Sequence, residues 1–116
     1  MSSYTYKIIE GKPQIASIEL NEQVLGGNDA LEFSATLYEL FDNKLSCIII
    51  DLSKVQVMNS SGLGMMVSGL SSLRKNNIQM ALVSVPPKVM SLLEMTHLDK
   101  VFQIYKNLQE VYEKYY

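Results

Sequence analysis

One cysteine and one histidine are too few for a zinc or catalytic iron site, which takes several clustered ligands, and Cys47 and His97 stand far apart in the chain. No metal and no cofactor are expected. A lone cysteine also closes no disulfide within the chain, and Cys47, set inside an apolar run, reads as a small core residue rather than a thiol nucleophile. A reducing compartment fits. The 10 Lys and Arg are outnumbered by 12 Asp and Glu, with no basic run to track a phosphate backbone, which argues against nucleic acid as a partner. No apolar run approaches the span of a bilayer, and the opening Met-Ser-Ser-Tyr-Thr-Tyr-Lys has no apolar stretch of signal-peptide length. A soluble cytoplasmic protein without a membrane partner is the expectation.

Apolar material for one core is present, since hydrophobic residues make up 47% of 116, within the usual size of a single domain. Residues 1–116 are therefore expected to form one domain. Residues 4–10 and 14–20 alternate apolar and polar side chains around Gly11-Lys12-Pro13, which predicts an antiparallel hairpin. Residues 21–27 read as a polar loop. Asn28 and Asp29 then offer an N-cap and a first-turn acid for a helix reaching about Asn43, with Phe33, Leu37, Leu40 and Phe41 on one stripe and Glu32 and Glu39 facing elsewhere.

Residues 47–50 are continuously apolar, the pattern of a central strand. Leu63, Met66, Val67, Leu70 and Leu73 mark a helix that ends at Arg74-Lys75-Asn76-Asn77, and residues 78–83 read as the next strand. Strand, helix and strand at this spacing predict a right-handed parallel crossover. Pro86-Pro87 suit a helix start, with Val89, Met90, Leu92 and Leu93 as its buried stripe and His97 ending it in a left-handed conformation. A short strand over 101–105 follows, and Asn107 with Glu110 makes a capping pair for a last helix. Tyr105, Leu108, Tyr112, Tyr115 and Tyr116 recur there at helix-like intervals and read as a packing face, with self-association as the alternative. The order ββαβαβαβα predicts an α/β fold, a small mixed sheet with an N-terminal hairpin and four helices.

The informative stretch is Met58-Asn59-Ser60-Ser61-Gly62-Leu63-Gly64, where a strand feeds a helix through two serines and two glycines. Free N–H groups and hydroxyls converge at the helix end that favours negative charge. Three chemical readings compete. Asn59, Ser60 or Ser61 caps the helix while the glycines allow a tight turn. A phosphate cradle of the P-loop kind needs a longer glycine loop and a lysine, and none stands between Lys54 and Lys75. A nucleophile elbow needs glycine two residues before the serine, where Met58 stands, and a histidine base, for which only His97 is available. A small hydrolase acting through Ser60 is thus disfavoured.

Asn59-Ser60-Ser61-Gly62-Leu63-Gly64 resembles the Asp-Ser-Ser-Gly-Leu-Gly motif of the STAS domain family, of the anti-sigma factor antagonist type. The likeness extends to residues 49–55, to Pro86-Pro87-Lys88-Val89 and to Leu98-Asp99-Lys100-Val101-Phe102. It implies a binding module, not an enzyme. The resemblance implies that Ser60, by position, is phosphorylated by a partner that is both anti-sigma factor and serine protein kinase, and that a serine phosphatase restores the free form. The resemblance implies that the unphosphorylated form binds the kinase and releases a sigma factor. Asn59, Ser61, Gly62, Leu63, Gly64 and Met65 are the expected partner contacts. Met65, Ser68 and Gly69, off the apolar stripe, offer an adaptable contact surface or else ordinary packing beneath a neighbouring helix. Two features depart from the family pattern: Asn59 replaces the usual Asp, and residues 21–28 replace a short Gly-x-Leu-Asp segment. The alternative implied function is a constitutive STAS scaffold in a signalling complex or transport system that is never phosphorylated.

Overall fold

The computed structural model describes residues 4–9, 11 and 14–116. Strands β1 (Thr5–Ile9) and β2 (Ile15–Glu19) pair antiparallel, with Thr5 opposite Glu19 and Ile9 opposite Ile15. This is the expected hairpin, although Lys12 and Pro13 of its turn lie outside the described residues. The chain continues through β3 (Gln23–Val24), α1 (Asn28–Leu40), β4 (Cys47–Asp51) and β5 (Val57–Met58). It then forms α2 (Ser60–Lys75), β6 (Gln79–Val83), α3 (Pro87–Met95), β7 (Gln103–Tyr105) and α4 (Leu108–Tyr115). Single 3-10 turns at Phe41–Asn43 and Leu98–Lys100 extend α1 and lead into β7.

The main sheet has five strands in the order β1-β2-β4-β6-β7, parallel except for the first pair. Every crossover steps outward in the same direction. Because parallel crossovers share one hand, helices α1, α2 and α3 are all delivered to the same face of the sheet. There Ile18, Ile48, Ile50, Met80 and Leu82 meet Phe33 and Leu37 of α1, Met66 and Leu70 of α2, and Val89 and Leu93 of α3. The alternate residues Ile15, Cys47, Ile49, Ala81 and Val83 point the other way and are covered by α4 through Val111, with Leu108, Tyr112 and Tyr115 half-buried beside it. The C-terminal tyrosines thus serve mainly as a packing face, and Tyr116 stays exposed. Burial pushes the Cys47 thiol up to about 11, although hydrogen bonds with the Tyr115 side chain and the Ala81 backbone act in the opposite direction.

Three local expectations are corrected. The polar loop of residues 21–27 contains β3, which pairs parallel with β5, Gln23 opposite Val57 and Val24 opposite Met58. Asn28 is the first residue of α1 rather than its cap, because Gly26 and Gly27 both take positive φ and turn the chain one residue earlier. Asp29 is used instead to hold the loop, its Oδ2 accepting the Leu25 N–H at 3.0 Å. The strand expected from residue 101 starts at Gln103, since the Val101 and Phe102 N–H groups both donate to the Leu98 carbonyl. His97 does end its helix region in a left-handed conformation, with φ 61°. Pro87 does occupy the first turn of α3.

Candidate functional site

The site is built where β5 hands the chain to α2. Asn59, in extended backbone, accepts the Gly62 N–H on Oδ1 at 2.8 Å and the Leu63 N–H on its carbonyl at 3.0 Å. Of the three capping candidates, Asn59 is the cap. The N–H groups of Ser60 and Ser61 find no acceptor among the described residues, and both serines are exposed. No acid stands in the first turn of α2, whereas Arg74 and Lys75 complement its last turn. The start of α2 is therefore an uncompensated positive end open to solvent.

Two glycines fix what lies against this turn. A Cβ at Gly62 would overlap the Val24 carbonyl oxygen and come within 2.7 Å of the Val24 carbonyl carbon. The β3 backbone can press on α2 only because residue 62 is glycine. Gly26, at φ 80°, would place a Cβ 2.6 Å from the Ser61 Cβ, so the loop before α1 sits directly on the second serine. Gly64 is different: it is exposed, and a Cβ there would meet nothing within 4 Å.

Among the expected contact residues, Asn59, Ser60, Ser61 and Gly64 face outward, while Gly62, Leu63 and Met65 are buried. Of the two readings of Met65 and Gly69, adaptable surface or packing beneath a neighbouring helix, the structure matches the second, since both pack against α1. Met65 is 5% exposed and lies with Phe33, Leu37 and Gly69 in the α1–α2 contact, and a Cβ at Gly69 would come 2.7 Å from Phe33 Cε2. Ser68 alone of that set is exposed. In their place the fold brings Leu25, just past β3, and Val57 of β5, which are 40% and 48% exposed. The paired glycines at 26 and 27 and the glycine in the first turn of α2 were the sequence signals for this close approach.

Among the described residues there is no group of three or more His, Cys, Asp or Glu side chains placed to hold a metal ion. None of the described helices is long and apolar enough to cross a membrane.

A candidate anti-sigma factor antagonist from Thermotoga maritima is 30% identical to this chain over 112 residues, 96% of each protein. The crystal structure of a candidate anti-sigma factor antagonist from Thermotoga maritima matches with a TM-score of 0.81 at 27% identity, covering 97% of this chain and 93% of that one. The Bacillus cell fate determinant SpoIIAA, solved in its phosphorylated form, shares the fold with a TM-score of 0.68 at 14% identity, over 95% of this chain and 98% of that one. The model of the STAS domain matches residues 6–111, from β1 through the capped turn and into α4, so this chain belongs to the STAS domain family, a family of non-enzymatic binding modules.

Proposed function

We propose that this protein is an anti-sigma factor antagonist switched by phosphorylation of Ser60. Unphosphorylated, it binds an anti-sigma factor that is also a serine protein kinase, and so frees a sigma factor in the cytoplasm. Phosphate transfer to Ser60 weakens the complex, and a serine phosphatase resets it. The observation that carries this reading is an exposed Ser60 in the first turn of α2, beside two N–H groups without acceptors and with no acid in that turn.

A phosphoserine carries about −1.5 to −2 charges near neutral pH, which this helix end tolerates without unfolding. The same dianion pressed against a partner without a cation costs several kcal/mol. The domain stays folded while its contact surface changes sign. Asn59, Ser60, Ser61 and Gly64 make the outward face of the contact. Gly62, Leu63 and Met65 contribute by fixing the turn's shape from within.

Incubation with ATP and the host's candidate kinase, followed by peptide mass spectrometry, tests the assignment. Phosphate is expected on Ser60 and is lost in Ser60→Ala; phosphate found only at other residues overturns it. Asn59 favours one second reading, a constitutive scaffold, because the amide keeps the cap and lacks the acid usual beside the acceptor. Stable binding of the kinase with no transfer to Ser60 would select that reading.

A further inference from the structure

The solvent face of α1 carries an apolar row that no part of the described fold covers. Leu31 and Tyr38 are 72% and 67% exposed, and with half-buried Ala35 between them they recur at spacings of four and three. Seven residues are two helical turns, so the two large side chains stand on one line about 10 Å apart. Phe33, Leu37 and Leu40 occupy the opposite, buried side of the helix. Leu31 and Tyr38 therefore lie outside the core, which Tyr38 touches only through the edge of Phe41, ring centroids 5.3 Å apart.

Charge along this helix has one sign. No Lys or Arg occurs anywhere in residues 14–43, although the chain as a whole holds 10 of them against 12 acids. Glu39 and Asp42 are exposed along the row, and the Glu39 carboxylate accepts the Tyr6 hydroxyl, a neutral donor that leaves its charge in place. An apolar line edged by carboxylates on a convex helix is no cleft for a small molecule. It fits another helix with apolar residues at matching spacing and lysines or arginines on the flank.

We propose that α1 docks a basic amphipathic helix of a partner protein, through Leu31 and Tyr38 with Glu39 and Asp42 on the rim. Charge complementarity sets the partner apart from a second copy of this chain. Among this chain's own helices, α3 offers exposed Met95 with one base, Lys88, offset by Glu94, and α2 ends in exposed Arg74 and Lys75 but exposes Gly64, Ser68 and Ser71 rather than an apolar row.

The test titrates the full chain, labelled with nitrogen-15, with a synthetic 18-residue amphipathic helix of leucine and lysine, and with its counterpart carrying glutamate in place of lysine. The lysine peptide is expected to shift amides of residues 28–42. Its affinity should fall at least tenfold in Leu31→Gln/Tyr38→Gln and at least threefold in Glu39→Gln/Asp42→Asn. The substituted positions are exposed, and an unchanged thermal melt checks that loss of the Tyr38–Phe41 ring contact leaves the fold intact. Equal binding of the glutamate peptide, shifts centred on another surface, or undiminished binding by the Leu31/Tyr38 variant overturns the proposal. So does a dimer in sedimentation that the same variant dissolves, since the occupant would then be a second copy.

Discussion

Helices α2 and α4 begin on the same residue type and end up with opposite electrostatics. Asn59 Oδ1 accepts the Gly62 N–H at 2.8 Å, and Asn107 Oδ1 accepts the Glu110 N–H at 3.1 Å, both asparagines sitting in extended backbone. At α4 the residue whose N–H is capped returns the favour, for Glu110 Oε1 accepts the Lys106 N–H at 2.7 Å and sets a negative charge on the helix dipole. At α2 the equivalent position is Gly62, which has no side chain to return and is needed by β3 for close approach. One start is electrically closed and the other is left open. The same backbone demand that forces glycine into α2 therefore also keeps acid out of that position, and the helix end remains receptive to an added phosphate.

The comparison is broken most severely by filling the contact that separates the two starts. Gly62→Ala should destabilise the domain by about 3 kcal/mol, because the new Cβ meets backbone that cannot yield, whereas Gly64→Ala should be neutral or stabilising by up to about 1 kcal/mol. Urea melts of the two variants measure this; equal effects would mean that β3 does not press on α2.

The α4 side is broken by alkali. The Cys47 thiol beneath α4 is raised from 9.0 to about 11. Below that window both folded and unfolded chains keep the proton; within it only the unfolded chain releases it, so stability falls as pH rises. About 2 to 3 kcal/mol should be lost across the window, at about 1.4 kcal/mol per pH unit. Denaturant midpoints taken through that range check the sign, and Cys47→Ala checks the source by losing less, most clearly below pH 10.0, above which the raised Tyr4 and Tyr115 hydroxyls add a loss of the same sign.

The smallest test sharpens the contrast directly. Asn59→Asp should stabilise by about 0.5 kcal/mol at low salt, since it supplies an anion where α2 has none. Asn107→Asp adds a second anion beside Glu110 and should gain less. Paired thermal melts read the difference, and equal shifts would argue that the two helix ends are alike.

What could be read from the sequence was whatever repeats. The continuous apolar run at β4, the stripe Phe33, Leu37 and Leu40, and the asparagine cap at 107 each carry a local signature, and the structure agrees with all of them, whereas the cap at 59 had to be chosen from three neighbours. β3 and β5 have two residues apiece, too few for any period to show, so the small sheet that braces the Ser60 turn was not legible. Met65 stays open between contact and packing in the sequence for a related reason. A helix's own pattern gives one stripe, while α1 crosses α2 and buries a second strip of it, a contact visible only between elements. The turn itself was legible through the serine-glycine motif, and the close approach of β3 that Gly62 allows was not.

Strand order in the main sheet is chain order, β1 to β7 with only β3 and β5 set aside in their own pair. During synthesis each new strand can therefore join the open edge left by the one before, with no gap held for a later arrival. The Ser60 turn needs β3, β5, α1 and the first part of α2, all made before β6 emerges. Stalled or truncated chains ending soon after α2 should thus already present a formed turn. On the proposed reading of that turn as the partner contact, nascent protein competes for the partner before the C-terminal strands are complete.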